Sequence, residues 1–215
     1  MARRFITFEG GEGTGKSTQA RLLAERLRAL GEDVVATREP GGSPEAERLR
    51  DLILSGRAKN LGAFAETALF SAARLDHLRS TIRPVLARGG WVICDRFLDS
   101  TRAYQGALGN LDPRVLRALE RVVVEDTVPG LTLLLDVPAE IGLERARQRS
   151  QSAPDRFEAE AIGYHRSLRQ AFLDIAHQEP QRVRVVDARP APDEVAEQVW
   201  ATTAETFALA AALHG

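Results

Sequence analysis

Residues 5–17 read FITFEGGEGTGKS, and this stretch decides the fold of the chain. Its first four residues predict a short strand, and the eight from Gly10 to Ser17 satisfy the pattern Gly-x-x-x-x-Gly-Lys-[Ser/Thr] at every fixed position. A helical pattern follows from Gln19. The strand, the glycine-rich turn and the helix together predict a phosphate-binding P-loop.

The glycines and the helix explain why such a loop binds phosphate. Glycines let successive backbone N–H groups turn inward around an anion, and the helix start adds unpaired N–H groups and the positive end of its dipole. Lys16 would reach the β- and γ-phosphates of a triphosphate, and the Ser17 hydroxyl would hold Mg²⁺. The residues predicted to bind ATP are Gly10, Gly11, Glu12, Gly13, Thr14, Gly15, Lys16, Ser17 and Thr18.

A flexible glycine-rich turn that carries a surface lysine is the alternative interpretation. An eight-residue pattern with the correct flanking strand and helix rarely arises by chance. Lys16 is moreover one of only two lysines among the 29 basic residues. A chain that nearly always uses arginine therefore has lysine where the P-loop needs it.

Length and composition limit the other possibilities. The 215 residues are enough for a full hydrophobic core, so residues 1–215 are predicted to form a single domain. The net charge of −1 argues against a protein that binds nucleic acid or a membrane surface. The apolar run after Arg4 is too short for a secretion signal or a membrane span, and Cys94 has no partner for an internal disulfide. These features predict a cytoplasmic protein with Cys94 as a small core residue.

Strand and helix patterns alternate along the chain. Apolar runs predict five strands, at residues 5–8, 34–36, 91–94, 131–135 and 183–186. Helical patterns cover residues 19–30 with Leu30 on the apolar face, residues 44–55, residues 63–87 with a kink near Pro84, and residues 192–213. The expected fold is α/β, a doubly wound five-stranded parallel sheet of P-loop NTPase type flanked by helices. Its ligands should lie beyond the carboxyl ends of the strands, near the P-loop, Arg38 and Asp95.

Several arginines at this expected edge indicate a second anionic ligand. A GTP-dependent switch would need a guanine-reading Asn-Lys-x-Asp motif on a late strand, and the sequence has none. Arginines at strand ends and helix starts can instead clamp a second phosphorylated molecule. The candidates are Arg38, Arg74, Arg96, Arg145, Arg147, Arg149 and Arg156.

Three further motifs resemble those of bacterial thymidylate kinases. They are TREPGG at residues 37–42, DRF at 95–97 and AYQG at 103–106, and the P-loop form EGGEGTGKS at residues 9–17 is also similar. The resemblance covers the whole chain. It implies a Mg²⁺-dependent homodimeric kinase that transfers the γ-phosphoryl group of ATP to dTMP, giving dTDP for dTTP biosynthesis. The helix that starts at Ala63 is the expected dimer interface.

The resemblance also implies which residues bind dTMP. They are Arg38 and Arg96 for the phosphate, Phe70 and Arg74 for the base, Glu12 and Tyr104 for the sugar, and Ser100 and Gln105 as further sugar or base contacts. Phe70 and Arg74 are four residues apart on one predicted helix, so they project from the same face as a stacking surface and a donor. Ordinary core packing is the alternative role for Phe70.

Residues 145–157 resemble the mobile lid of the same family. The variable P-loop positions, residues 11–14, contain no basic residue, so the resemblance implies that the transition-state arginine comes from the lid. Arg149 is the expected catalytic arginine. Arg147 and Arg156 are the alternatives.

Asp95 follows the third predicted strand and is expected to act without serving as a base. The acceptor phosphate has lost most of its second proton at neutral pH, since that pKa is about 6. Asp95 is therefore expected to hold Mg²⁺ through water together with Ser17, and to orient Arg38 or Arg96. Three rival functions stay open: a deoxynucleoside kinase with Asp95 as general base, another nucleoside monophosphate kinase, and a nucleotide-dependent switch.

Overall fold

Five strands form one parallel sheet in the computed structural model, which describes residues 3–57, 61–149 and 160–209. The strands are β1 Phe5–Glu9, β2 Val34–Arg38, β3 Trp91–Asp95, β4 Leu131–Asp136 and β5 Val183–Asp187. Their order is β2-β3-β1-β4-β5, and every pairing is parallel. The predicted five-stranded parallel sheet is confirmed.

Helices connect the strands and cover both faces of the sheet. They are α1 Lys16–Ala29, α2 Pro44–Leu54, α3 Gly62–His77, α4 Arg83–Ala87, α5 Leu98–Thr101, α6 Pro113–Val123, α7 Ala139–Arg149, α8 Ile162–Gln178 and α9 Pro192–Phe207. Two π-helical segments, Leu78–Ile82 and Arg102–Leu108, continue α3 and α5. Within the described ranges, no helix is long and apolar enough to cross a membrane.

Alternation along the central strand β1 explains why both faces are covered. Ile6 and Phe8 lie in one apolar cluster with Leu27 of α1 and Trp200 of α9. The side chain of Phe5 points the other way, into a cluster with the π segment that precedes α4. Successive strand residues face opposite sides, so a strand buried on both faces needs apolar residues throughout. Cys94 on β3 is fully buried in the second cluster, as predicted.

The long helix predicted over residues 63–87 is present but is not regular. It runs from α3 through the π segment Leu78–Ile82 into α4. Pro84 has no N–H group to donate to an earlier carbonyl, and a π segment is one way to absorb such an interruption. The irregularity expected near Pro84 thus takes the form of a wider turn just before it.

Two predictions about helix ends are wrong. Leu30 was expected on the buried face of α1, but the helix ends at Ala29 and Leu30 is 46% exposed, because the chain turns away through Gly31 at φ 84°. The last helix was expected to reach residue 213 but ends at Phe207. Ala208 follows it in the left-handed conformation, which cannot continue a right-handed helix.

The contrast between Leu27 and Leu30 tests the packing of α1. Leu27→Ala should lower the free energy of unfolding by about 2–5 kcal/mol, because it opens a cavity in a fully buried cluster. Leu30→Ala should change it by about 0.5 kcal/mol or less, since that side chain is largely in solvent. Urea unfolding followed by circular dichroism measures both variants. Equal losses would contradict the position of α1 on the sheet.

Candidate active site

The P-loop joins β1 to α1 and is shaped by glycines that no other residue could replace. Gly10 has φ 136°, and a Cβ there would lie 2.5 Å from the carbonyl oxygen of Leu135 on β4. Gly13 has φ 66°, and a Cβ there would overlap the carbonyl group of Gly142 on α7. The loop is therefore pressed between β4 and α7 with its backbone free to face a ligand. This is the cradle that the sequence predicted.

Lys16 begins α1 and folds back over the loop. Its Nζ donates to the carbonyl oxygen of Gly11 at 2.6 Å and lies 3.4 Å from Oγ1 of Thr14. The pKa of Lys16 is lowered to about 8, first because the ammonium group is buried and then because the Arg96 guanidinium is close. A bound polyphosphate would supply the negative charge that the ammonium group lacks here.

Ser17 and Asp95 provide oxygen atoms suited to Mg²⁺. The Ser17 hydroxyl donates to Oδ2 of Asp95, and Oδ1 of Asp95 is buried without a hydrogen-bond partner. The described residues contain no group of three or more His, Cys, Asp or Glu that could hold a metal. Mg²⁺ usually takes only one or two protein oxygens and completes its shell with phosphates and water, so the pair fits this ion.

The expectation that Asp95 orients an arginine is not met. Its hydrogen bond goes to Ser17, and among the described residues it forms no ion pair with Arg38 or Arg96. Arg96, whose φ is 70°, instead pairs with Glu12 of the P-loop. Such a conformation is strained for a residue with a Cβ and is common at functional sites.

Glu12 is fixed in its ionised form by two neighbours. Its Oε1 accepts from Nη2 of Arg96 at 2.5 Å and from the Tyr104 hydroxyl at 2.9 Å. Burial raises the pKa of Glu12, but the charges of Arg96 and Lys16 outweigh burial and lower that pKa to about 2. The Arg96 guanidinium lies 5.2 Å from the centre of the Tyr104 ring, which fixes its plane.

Glu9, the last residue of β1, is a functional residue that the sequence analysis missed. It is fully buried, and its carboxylate accepts from the backbone N–H groups of Phe97 and Ser100 and from the Ser100 hydroxyl. Burial raises the pKa of Glu9 to about 7. Glu9 thereby holds the segment from Phe97 to Ser100, which follows Arg96 and begins α5. An acidic residue in an otherwise apolar strand was the available signal.

Arg38 and its neighbours form the opposite wall of the site. Arg38 ends β2, is exposed, and pairs with Glu47 at 3.1 Å. Arg50 of α2 donates to the carbonyl oxygen of Pro40 and faces the same space. Two guanidinium groups thus border this side, and Arg50 was not predicted.

Phe70 and Arg74 of α3 close the far end. Arg74 is buried, with Nε bonded to Glu39 at 2.7 Å and Nη2 bonded to the Phe97 carbonyl and the Thr101 hydroxyl. Phe70 is half-buried and faces the same space. The predicted shared face of these two residues is therefore observed.

A cavity of about 250 Å³ brings most of the predicted residues together. Predicted residues that line it are Glu12, Gly13, Gly15, Lys16, Ser17, Arg38, Phe70, Arg74, Asp95, Arg96, Ser100, Tyr104 and Gln105. Residues that also line it but were not predicted are Glu39, Pro40, Arg50, Leu54, Phe97 and Thr101. The remaining P-loop residues, Gly10, Gly11, Thr14 and Thr18, do not line this cavity, and Thr18 is exposed on α1.

The predicted lid is only partly within the described residues. Arg145 on α7 was considered as a phosphate clamp, but its guanidinium donates to the carbonyl oxygens of Ala188 and Arg189 after β5. That expectation is wrong, because the group is used to fasten α7 to the neighbouring loop. Arg147 is exposed. The side chain of Arg149, and Arg156 with the rest of the expected lid, lie outside the described residues.

Comparisons with known proteins give one family. Residues 8–199 match the family model for Thymidylate kinase. Curated relatives named thymidylate kinase include one from a Bradyrhizobium species, 57% identical over 97% of this chain and 93% of its own, and one from Nitrobacter winogradskyi, 60% identical over 92% and 86%. The solved thymidylate kinase from Ehrlichia chaffeensis is 34% identical, with a TM-score of 0.74 over 93% of this chain and 97% of its own.

The depressed pKa of Lys16 predicts that triphosphate binding takes up a proton. At pH 8 about half of the Lys16 side chains are neutral in the free protein, and phosphate oxygens favour the ammonium form. Binding should then take up about half a proton, and affinity should fall as the pH rises above 8.

Calorimetric titration with ATP at pH 8, in two buffers that differ in ionisation enthalpy, measures this uptake. Lys16→Arg is the matched control, because arginine stays protonated and should show no uptake. Equal proton uptake by the two proteins would show that Lys16 is not its source.

Proposed function

This chain belongs to the thymidylate kinase family, and we propose that it phosphorylates dTMP with ATP to give dTDP, using the cavity between the P-loop and α3. It is a phosphotransferase of nucleotide biosynthesis. The observation that carries the proposal is the placement of Arg38 and Arg96 on the cavity wall beside the P-loop. Two guanidinium groups there fit an acceptor that itself carries a phosphate.

The state of Glu12 favours a phosphate acceptor over a hydroxyl acceptor. A nucleoside kinase must take a proton from a neutral hydroxyl, but Asp95, the base in that rival, already accepts from the Ser17 hydroxyl, and Glu12, with a pKa of about 2, is a poor substitute. The phosphate of dTMP is already largely ionised at pH 7 and needs no base. The rival deoxynucleoside kinase therefore has less support at this site.

Catalysis in this proposal consists of positioning two anions and stabilising the charge between them. Lys16 contacts the β- and γ-phosphates of ATP, and Arg96 contacts the acceptor phosphate from the other side. Ser17 directly and Asp95 through water would hold Mg²⁺, which would neutralise phosphate charge when bound. Because Arg96 is fixed by Glu12 and Tyr104, it meets the acceptor without first having to reorganise.

The thymine base occupies the end of the cavity formed by α3. Phe70 stacks on the ring, which supplies affinity for any base. Arg74 offers only donors, and thymine has a carbonyl where cytosine has an amino group. Glu12 and Tyr104 contact the deoxyribose, and Ser100 and Gln105 add further contacts. Thymine and uracil are therefore accepted and cytosine is rejected.

Arg149 of the lid supplies charge to the transferring phosphoryl group in this proposal. The support is the family resemblance and the absence of a basic residue at P-loop positions 11–14. The enzyme is proposed to act in the cytoplasm, with dTMP and ATP as its partners and with neither nucleic acid nor membrane involved.

A coupled assay of ADP release, run across nucleosides and nucleoside monophosphates, tests the function. We expect dTMP to give the highest kcat/KM. Thymidine should be about 100-fold worse or more, because it loses charged hydrogen bonds worth about 1.5–3 kcal/mol each. The value for dCMP should also be about 100-fold lower or more, since it leaves Arg74 facing another donor. Turnover of thymidine without turnover of dTMP would contradict the proposal.

A homodimer through α3 is also part of the proposal. Leu61, just before α3, and Phe64, on it, are 68% and 58% exposed, and Val122 on the adjacent helix α6 is 67% exposed. Large apolar side chains exposed on neighbouring helices are typical of protein interfaces. The dimer would cover them.

Phe64→Asp should convert the dimer to a monomer, because it places a charge in the apolar surface that the dimer is proposed to cover. Light scattering after gel filtration should give the 23.5 kDa chain mass instead of twice that value. Leu30→Asp is the control, since Leu30 is also largely exposed but lies at the end of α1. If the Phe64→Asp protein kept the dimer mass, the interface would lie elsewhere.

A further inference from the structure

We infer that Glu39 is a specificity-determining residue, which acts by holding the Arg74 guanidinium so that only Nη1 meets the base of the acceptor nucleotide. This inference rests on the proposed function, since Arg74 reads a base only if a nucleoside monophosphate occupies the cavity. Glu39 itself is a positioning residue, because it acts through Arg74.

The hydrogen bonds of Arg74 leave one nitrogen available. A guanidinium group has five N–H donors, one on Nε and two on each Nη. Nε donates to Glu39 at 2.7 Å, and Nη2 donates to the Phe97 carbonyl at 3.0 Å and to the Thr101 hydroxyl at 2.9 Å. No partner of Nη1 is found among the described residues, and Arg74 lines the cavity. Nη1 is thus the nitrogen that a bound base would meet.

Packing also fixes the plane of the guanidinium. Arg74 is only 4% exposed, and its guanidinium carbon lies 5.0 Å from the centre of the Phe97 ring. A cation at this distance from an aromatic face is attracted to it. Since the Phe97 carbonyl also binds Nη2, rotation about the long side chain is restricted from two sides.

Glu39 is held as firmly as Arg74. It is 6% exposed, its Oε2 accepts from Arg74, and its Oε1 lies 3.1 Å from Nδ1 of His77. Burial raises the pKa of Glu39, but the Arg74 charge and the His77 hydrogen bond lower it by more, so the net shift is downward. Both oxygens are engaged, and the carboxylate stays ionised opposite the guanidinium.

His77 connects Glu39 to the side chain of Thr37, the first residue of the TREPGG segment. The ring is fully buried, with Nε2 2.8 Å from the Thr37 hydroxyl. If Nδ1 donates to Glu39 and Nε2 accepts from Thr37, every polar atom of the neutral ring is satisfied. A Cβ at Gly42 would lie 2.4 Å from both Nε2 and the Thr37 oxygen, so only glycine lets the loop close over this pair.

The position of Glu39 next to Arg38 links the two halves of acceptor recognition. Arg38 points outward to the phosphate side of the cavity, and Glu39 points inward to Arg74. The Glu39 N–H donates to the Asp95 carbonyl on β3 at 2.9 Å, which anchors the segment to the sheet. One segment therefore sets the distance between the phosphate clamp and the base reader.

This arrangement accounts for discrimination at one position of the base. Nη1 can donate and cannot accept, so the facing base atom must be an acceptor. Without Glu39 the Nε donor loses its acceptor and the guanidinium is held only through Phe97 and Thr101, so it can turn in its plane and present a different donor to the base. Selectivity between thymine and cytosine should then fall more than affinity for nucleotides in general.

Glu39→Gln is the main test, because glutamine has the same shape but no charge and one acceptor oxygen instead of two. The ratio of kcat/KM for dTMP to that for dCMP should fall by about 10-fold or more, which corresponds to about 1.4 kcal/mol. The loss for dTMP should appear in its KM, while the KM for ATP stays unchanged. Glu120→Gln is the control, since Glu120 also accepts from an arginine Nε, at 2.8 Å from Arg102, but lies outside the cavity.

A double-mutant cycle shows whether Glu39 acts through Arg74. In an Arg74→Ala background, Glu39→Gln should cause no further change in the dTMP to dCMP ratio. A further fall would overturn the inference. Equal losses for dTMP and dCMP in the single variant would also overturn it, because a purely structural role lowers both alike.

Glu39→Asp is a second variant that tests the inference if Glu39→Gln does not fold. It keeps the buried negative charge but shortens the side chain by one methylene, so the guanidinium is displaced while the ion pair survives. The ratio should again fall, and a wild-type ratio in a folded Glu39→Asp protein would contradict the inference. If the wild-type enzyme did not phosphorylate dTMP at all, both the proposed function and this inference would fail. If it did so and the variants kept its ratio, only this inference would fail.

Discussion

The pairing of β1 with β3 and β4 is the constraint on which the rest of the structure depends. Every residue of β1 is buried, and its carboxyl end delivers both the P-loop and the Glu9 carboxylate. Because the three strands are parallel and in register, their ends place Gly10, Asp95 and the start of α5 at one edge of the sheet. A change in that register would separate the P-loop from Asp95 at the end of β3.

Two ion pairs then set the geometry of the acceptor site. Arg74 and Glu39 form a buried pair, and Arg96 and Glu12 form a partly buried one. Burying a charge is costly unless a partner compensates it, so such pairs contribute little to stability. They do fix orientation, since each arginine is held before the substrate arrives and only a few of its donors are left to face the cavity.

Sequence reasoning found the parts of the site that depend on local backbone chemistry. The P-loop was predictable because three of its glycines, Gly10, Gly13 and Gly15, adopt positive φ, and β1, β3 and β4 were predictable because both of their faces are buried. The Glu39 to Arg74 pair spans 35 positions, and Glu9 binds residues about 90 positions away, so no local pattern reveals them. The predictions for Arg145 and Leu30 were wrong for the same reason. Tertiary contacts, which no local pattern shows, decide what each of these side chains touches.

Because Cys94 is buried, the reactivity of its thiol reports local opening of the folded protein. The thiol is the only one in the sequence, lies in β3 between β1 and β2, and has its pKa raised by burial. A thiol reagent reacts with the thiolate, so the folded protein is shielded both sterically and chemically. Modification therefore requires the apolar cluster between β3 and the helices that cover it to open. The rate of labelling therefore reports how often this cluster opens, and no cysteine has to be introduced for the measurement.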